Sequence, residues 1–174
     1  MDHLANNTDN YDEEGSFEHH HHKVFIVHSP TNDADKYCRF IYMETNSRRL
    51  GRHTGHRISV LASTTGDLNA QVRVQDRTCS HPTTSVPKSR LRLVGWVRRD
   101  HRKEIRTGCD AFEDIRRICQ EVPRTADTCS HKWTDAAIEA LRAASVLRPL
   151  RESDDRGTIY GPDAPTDDPF VESL

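Results

Sequence analysis

Hydrophobic residues recur at two different spacings in this chain, and the change between them falls near residue 107. Before that point, short apolar runs and alternating apolar and polar positions indicate β-strands. After it, apolar residues recur every three or four positions, as they do in amphipathic helices. We predict five strands, within residues 23–28, 37–43, 57–61, 72–75 and 91–97. The last strand should contain a bulge at Gly95, and a loop rich in Ser, Thr and Pro should occupy 78–89.

Two helices are predicted in the second half. Asp110 and Glu113 have the spacing of a capping box at the start of the first helix, and Pro123 ends it. The second helix, over 130–147, carries an apolar stripe of helical period, formed by Trp133, Ala137, Ala140, Leu141 and Ala144. Strands followed by helices indicate an α+β fold, with a mainly antiparallel sheet of about five strands followed by two C-terminal helices.

Charge is distributed unevenly along the 174 residues. Residues 1–18 hold six acidic residues and no Lys or Arg, whereas residues 48–106 hold fourteen Lys or Arg against four acidic residues. Residues 151–174 hold seven acidic residues, two arginines and three prolines. The acidic ends could fold back onto the basic middle or remain solvated, and we favour solvated ends.

These features divide the chain into three parts. We predict a disordered acidic, His-rich tail at 1–22, a single α+β domain at 23–149 and a disordered acidic tail at 150–174. The composition, 34% hydrophobic and 30% charged, fits a modest core with polar tails.

The cellular setting can be narrowed from the same sequence. No apolar run approaches the roughly 20 residues that span a bilayer, and the acidic start fits neither a signal peptide nor a transit peptide. The cysteine count is odd and there is no Cys-x-x-Cys pair, which favours reduced thiols. We therefore expect an intracellular protein, cytoplasmic or nuclear, that does not associate with membranes. The five cysteines are Cys38, Cys79, Cys109, Cys119 and Cys129.

Cys129 is the candidate nucleophile, because it stands at the start of the predicted 130–147 helix. Unpaired backbone N–H groups and the helix dipole stabilise an anion there, which lowers the pKa of a thiol. A nucleophilic cysteine also needs a base, and we favour His56 because it begins a strand on which a helix could pack. The alternative is that Cys129 is a half-buried structural residue. The histidines that the sequence leaves open as bases are His28, His53, His56, His81, His101 and His131.

The segment Cys129-Ser130-His131-Lys132-Trp133-Thr134, preceded by Ile-Cys-Gln-Glu-Val-Pro, resembles part of a group of uncharacterised fungal proteins. In that group a Cys-x-x-x-Trp-Thr segment opens the last helix, and an early strand carries a Tyr-His pair. The layout is similar to permuted papain-like folds of the NlpC/P60 and lecithin retinol acyltransferase kind. Over residues 23–148 the resemblance implies that Cys129 is a nucleophile facing a strand histidine. The chain departs from the pattern at Tyr37-Cys38, which implies either a degenerate member without turnover or the use of His56.

A basic stretch at 88–106 offers a different chemistry. Arg90 and Arg92 alternate with Leu91 and Leu93, so the two guanidinium groups should share one strand face and could contact phosphates. Stacking aromatics are represented by Trp96 alone, and a solvated sheet face is the alternative interpretation.

A metal site has weaker support. Cys79-Ser80-His81 is repeated as Cys129-Ser130-His131, and zinc accepts such ligands, but the spacing is not that of zinc fingers. The four histidines at 19–22 lack the fixed geometry of a metal site. We therefore expect no metal and no cofactor.

Three hypotheses of function follow. The one we favour is an intracellular interaction module without catalytic activity, which binds an unidentified protein partner and could be a degenerate papain-like domain. The alternative is a small cysteine hydrolase or acyltransferase that uses Cys129 and His56, which would then lie within hydrogen-bond distance of each other. The third is nucleic-acid binding through residues 88–106.

Overall fold

The computed structural model describes residues 17–32, 36–45, 54–60, 72–99, 111–123 and 130–171. Its strands are β1 (His21–Pro30), β2 (Tyr37–Thr45), β3 (Thr54–Val60), β4 (Val72–Ser80), β5 (Arg90–Arg98) and β6 (Thr158–Tyr160). The helices are α1 (Pro82–Ser85), α2 (Ala111–Glu121) and α3 (Ser130–Ala143). The strands form one sheet in the order β4-β3-β2-β1-β5-β6, with every neighbouring pair antiparallel. The predicted α+β fold with a mainly antiparallel sheet is confirmed.

Strand β1 lies in the middle of the sheet, between β2 and β5. Val24 and Ile26 point to the face that the helices cover, and Phe25 and Val27 point to the opposite face. Both faces of β1 are therefore packed, which explains why its sequence is an unbroken apolar run rather than an alternation.

Helix α3 packs across β2 and β3 and forms the larger core. Trp133, Ala137 and Leu141, from the predicted stripe, are fully buried against the sheet. Ile115 and Cys119 of α2 complete this core. The stripe residues thus have the role that their helical spacing predicts, because one face of the helix excludes water from the sheet.

Helix α3 ends earlier than the predicted residue 147. Ser145 adopts a left-handed conformation with φ of 57°, which a non-glycine residue adopts only at a cost. The amide of Ser145 donates to the carbonyl of Arg142 at 2.9 Å, and the amide of Val146 donates to that of Leu141 at 3.0 Å. These two bonds form a Schellman motif, which satisfies the last carbonyls and stops the helix.

The opposite face of the sheet carries a smaller core. Phe25, Val27, Phe40, Tyr42, Leu91 and Leu93 form it. Tyr42 is fully buried and lies over Gly55 of the next strand, where an added Cβ would come within 2.6 Å of the Tyr42 ring. A side chain at position 55 would therefore collide with this ring and with the Met43 carbonyl, so glycine is required there.

The predicted bulge at Gly95 is confirmed. Val24 pairs with Gly95 and Phe25 with Leu93, so Val94 is the extra residue on β5. An added Cβ on Gly95 would lie 2.3 Å from the carbonyl oxygen of Arg148, because the chain returning from α3 pairs with β5 there.

The strand count and the 78–89 loop differ from the prediction. Strand β4 continues to Ser80, and α1 occupies most of the predicted loop. Pro82 begins α1, where its missing N–H costs nothing, and the ring of His81 accepts a hydrogen bond from the amide of Thr83. The sixth strand, β6, follows the helices and pairs with β5, and its three residues are too few to show an alternation.

Both predicted tails also differ from the structure where it describes them. His21 and His22 begin β1, after a helical turn at 17–20, whereas residues 1–16 lie outside the described residues. Residues 150–171, which we call the C-terminal segment, contribute β6. They also contact β5 outside that strand pairing, because Trp96 Nε1 donates to Asp154 at 2.6 Å. These contacts join residues far apart in sequence, so local composition carried no sign of them.

Candidate functional site

Of the predicted catalytic pair, Cys129 and His56, the structure describes only His56. Cys129 lies outside the described residues, so its distance from His56 is not defined. His56 lies on β3 opposite Met43, a residue of the larger core, so it points to the helix-covered face as predicted. The pairing of Cys129 with His56 stays a prediction.

Burial makes two of the described cysteines poor nucleophiles. The pKa of Cys119 is raised to about 12 because its thiol is buried between the helices and the sheet. The pKa of Cys79 is also raised by burial, and its thiol donates to the carbonyl of Gly55 at 3.3 Å. A thiol with a raised pKa holds little thiolate at neutral pH, so neither is suited to attack a substrate.

Arg90 and Arg92 share one face of β5, as their alternation predicts, but that face is the helix-covered one. Leu91 and Leu93 lie in the smaller core on the opposite face. The side chain of Arg90 is only 3% exposed and that of Arg92 33%. Residues 100–106 of the predicted basic stretch lie outside the described residues.

Three arginines from two strands meet on this face and form what we call the arginine groove, made of Arg39, Arg90 and Arg92. The register brings them together, because His28 of β1 pairs with Arg39 of β2 on one side and with Arg90 of β5 on the other. Directly paired residues of an antiparallel sheet point to the same face. The ring of His28 therefore forms the floor of the groove, with a guanidinium group on each side.

The floor of the groove is uncharged at neutral pH. The pKa of His28 is lowered to about 4, first by burial and then by the charges of Arg90, His131 and Arg39. Its ring stacks on Tyr37 at 4.6 Å and meets the edge of His131, in the first turn of α3, at 5.3 Å. Burial lowers the pKa of His131 too. The positive charge of the groove therefore comes from its arginines.

The chain's own C-terminal segment occupies the groove. Arg90 Nη1 donates to the main-chain carbonyls of Pro165 (3.4 Å) and Asp167 (2.7 Å), and to the Asp167 carboxylate at 2.9 Å. Arg92 donates to the carbonyl of Phe170 at 3.4 Å and to the Asp168 carboxylate at 3.3 Å. Arg39 donates to the carbonyl of Pro169 at 2.7 Å. Within the described residues, four of these six hydrogen bonds between the groove and the segment go to main-chain carbonyls.

An aromatic side chain completes the contact. The Phe170 ring lies 5.5 Å from the guanidinium carbons of both Arg39 and Arg92, within the range of cation–π attraction. Its edge also meets the His28 ring, at 6.4 Å. The groove thus combines cationic donors with a site for an aromatic ring.

A cleft of about 550 Å³ continues from the groove between α3 and the C-terminal segment. Ile26, Ile138 and Phe170 supply apolar surface to it, whereas Arg39 and Arg92 carry its positive charge. Arg39 also lies 3.5 Å from the Asp135 carboxylate of α3. The cleft therefore extends the groove with both apolar and charged walls.

Sequence reasoning found Arg90 and Arg92 but not their partners. Arg39 gave no signal of a site, because it belongs to neither a charged run nor a motif, and His28 was a candidate only as a base for Cys129. The one usable signal of the contact was the acidic composition of 151–174 together with the basic middle of the chain. It corresponds to the alternative that the acidic ends fold back onto the basic middle.

No protein-family model, curated protein or solved structure matches this chain. The resemblance to fungal proteins and to papain-like folds stays a prediction from the sequence. Within the described ranges, no helix is both long and apolar enough to cross a membrane, and no three His, Cys, Asp or Glu side chains are grouped as a metal ion would need.

Proposed function

We propose that this chain is an interaction module without catalytic activity, and that it binds an extended polypeptide segment of a protein partner in the arginine groove. The observation that carries the proposal is the hydrogen bonding of the groove to residues 165–170: within the described part of the chain, four of these bonds go to main-chain carbonyls and two to carboxylates. Guanidinium groups that engage several carbonyls of one segment recognise a polypeptide backbone, and the carboxylates add charge complementarity.

The depth of the groove favours a polypeptide over a nucleic acid. Arg90 is 3% exposed and Arg39 16%, whereas a nucleic-acid backbone is bound by basic side chains that reach out to it. A carbonyl or a short Asp side chain can enter a recess of this kind. Phosphate binding through Arg90 would require the groove to open.

Burial gives Cys79 and Cys119 a structural role rather than a catalytic one. The raised pKa values of Cys79 and Cys119 are those of structural thiols. Cys38, Cys79 and Cys119 are all free, which supports the predicted reducing, intracellular setting.

The experiment uses a labelled peptide with the sequence of residues 161–171, Gly-Pro-Asp-Ala-Pro-Thr-Asp-Asp-Pro-Phe-Val. Fluorescence anisotropy is measured as the full chain is added up to its solubility limit. We expect saturable binding that weakens at least fivefold in Arg92→Met, because Arg92 contributes two hydrogen bonds and a cation–π contact. Methionine keeps most of the apolar stem, and Arg92 is exposed enough for the fold to tolerate it.

Arg98→Met is the matched control, because Arg98 lies on the same strand, exposed and away from the groove. It should leave peptide binding unchanged. Labelled single- and double-stranded oligonucleotides are titrated in parallel. Salt-dependent oligonucleotide binding that Arg98→Met weakens, without saturable peptide binding, would contradict the proposal and favour the nucleic-acid hypothesis.

A further inference from the structure

We propose that residues 165–171 are a built-in competitor for the arginine groove, and that the partner segment carries the same chemistry: two consecutive acidic residues, a proline and an aromatic residue. This inference rests on the proposed function. It adds the partner's chemistry and a means of regulation to that proposal.

Residues 165–171 are held by the groove and do not belong to either core. Within the described residues, neither hydrophobic core includes any residue of 162–171. The Asp167 side chain is 74% exposed although the arginine that binds it is almost fully buried. The segment can therefore leave the groove without removing a residue from either core, so we expect the sheet beneath it to remain folded.

The attachment point of the segment is well defined. The amide of Gly161 donates to the carbonyl of Ser89 at 2.8 Å, and an added Cβ there would lie 2.1 Å from the Pro87 carbonyl oxygen. Only three residues separate Gly161 from Pro165, the first residue of the segment that contacts the groove. A short tether of this kind gives the segment a high effective concentration at the groove, in the range of about millimolar for flexible linkers.

The seating of the segment defines the motif. Asp167 pairs with Arg90 at 2.9 Å, and Asp168 pairs with Arg92 at 3.3 Å. The other oxygen of Asp168 accepts the amide of Phe170 at 2.9 Å. That turn directs the ring between two guanidinium groups, so the acidic pair, the proline and the aromatic residue act as one unit.

The groove has donors that its own segment does not use. Among the described residues, the buried Nε groups of Arg90 and Arg92 have no hydrogen-bond acceptor. A buried donor without an acceptor is a cost to the closed state. A partner segment that supplies acceptors at these two positions would gain free energy that residues 165–171 do not, and could displace them.

The test compares the full chain with its Asp167→Asn/Asp168→Asn variant, using the labelled 161–171 peptide as probe. The double substitution weakens the internal competitor and leaves the groove intact. Each such carboxylate contact changes an equilibrium constant by a few-fold, so we expect the variant to bind the peptide about tenfold more tightly. The matched control is Glu152→Gln/Asp163→Asn, which removes the same charge from the C-terminal part of the chain outside residues 165–171. In the described part of the chain, neither of those carboxylates contacts the groove.

The outcomes separate the two proposals. Tighter binding in the Asp167→Asn/Asp168→Asn variant alone, reversed when Arg92→Met is added, supports the inference. Saturable binding of equal strength in the wild type and the variant would overturn the inference and leave the proposed function standing. If neither chain binds the peptide, the proposed function itself fails. A wild-type dimer, detected by light scattering and dissociated by Arg92→Met, would identify a second copy as the occupant and overturn the partner assignment.

Discussion

Protonation of His28 should destabilise the folded chain in mildly acidic solution. Its side chain is 7% exposed, and the charged or titratable groups around it are Arg39, Arg90, His131 and Asp167. Burial is the main cause that lowers its pKa to about 4, and the two arginines and His131 lower it further. Asp167 opposes this by raising it.

The sign and size of the effect follow from linkage. An unfolded histidine has a pKa of about 6.5, so between pH 6.5 and 4 the unfolded state binds more protons than the folded state. The free energy of unfolding therefore falls as the pH falls through this window, and the contribution of His28 is fully present above it. One pKa unit corresponds to about 1.4 kcal/mol, so the loss amounts to about 2–3 kcal/mol by pH 4.5.

Urea denaturation followed by circular dichroism, from pH 7.5 to 4.5, measures this loss in the wild type and in His28→Phe. Phenylalanine keeps a ring against Tyr37 but cannot be protonated. Its free energy of unfolding should therefore fall by about 2–3 kcal/mol less than that of the wild type over the window. His19→Phe, at an exposed histidine, is the control and should follow the wild type. Parallel curves for the wild type and His28→Phe would refute the reasoning.

Three further predictions concern single positions. Ser145→Gly should raise the free energy of unfolding by about 1 kcal/mol, because glycine adopts the left-handed conformation at the end of α3 without the steric cost that serine has. A lower stability of this variant in urea denaturation would contradict the prediction. Tyr42→Phe should change stability by less than about 1 kcal/mol, because the buried Tyr42 hydroxyl has no hydrogen-bond partner among the described residues. A larger loss in the same assay would show that this hydroxyl does have a partner. Cys129 should alkylate with an apparent pKa of about 8.5, unchanged by His56→Asn. Mass spectrometry showing a lower, His56-dependent pKa would favour the cysteine hydrolase.

The sheet and the long helix could be predicted because their signals are local. The apolar run of β1 and the stripe of Trp133, Ala137 and Leu141 reflect which faces exclude water, and a short window contains all the residues involved. The end of α3 was missed because it depends on the backbone at Ser145 rather than on hydrophobic spacing. Strand β6 has too few residues to show an alternation.

The candidate site was much harder to predict, because it is assembled from distant segments. Arg39 and Pro169 are 130 residues apart, and Arg90 and Asp167 are 77 apart. Only the register of β1 with β2 and β5 brings the arginines around His28. Sequence alone indicated two acidic ends and a basic middle, and it favoured solvated ends because composition does not define which charges meet. The prediction about Cys129, in contrast, used only local helix-start chemistry.

The most direct test of the arginine groove follows its own side chains. Proton–nitrogen NMR spectra of the arginine Nε–H groups are recorded for the Asp167→Asn/Asp168→Asn chain as the 161–171 peptide is added. We predict saturable shifts of the Arg90 and Arg92 resonances, with that of Arg98 unchanged, because only the first two meet the peptide. Saturable peptide binding that leaves Arg90 and Arg92 unshifted would contradict the account and place the binding surface elsewhere.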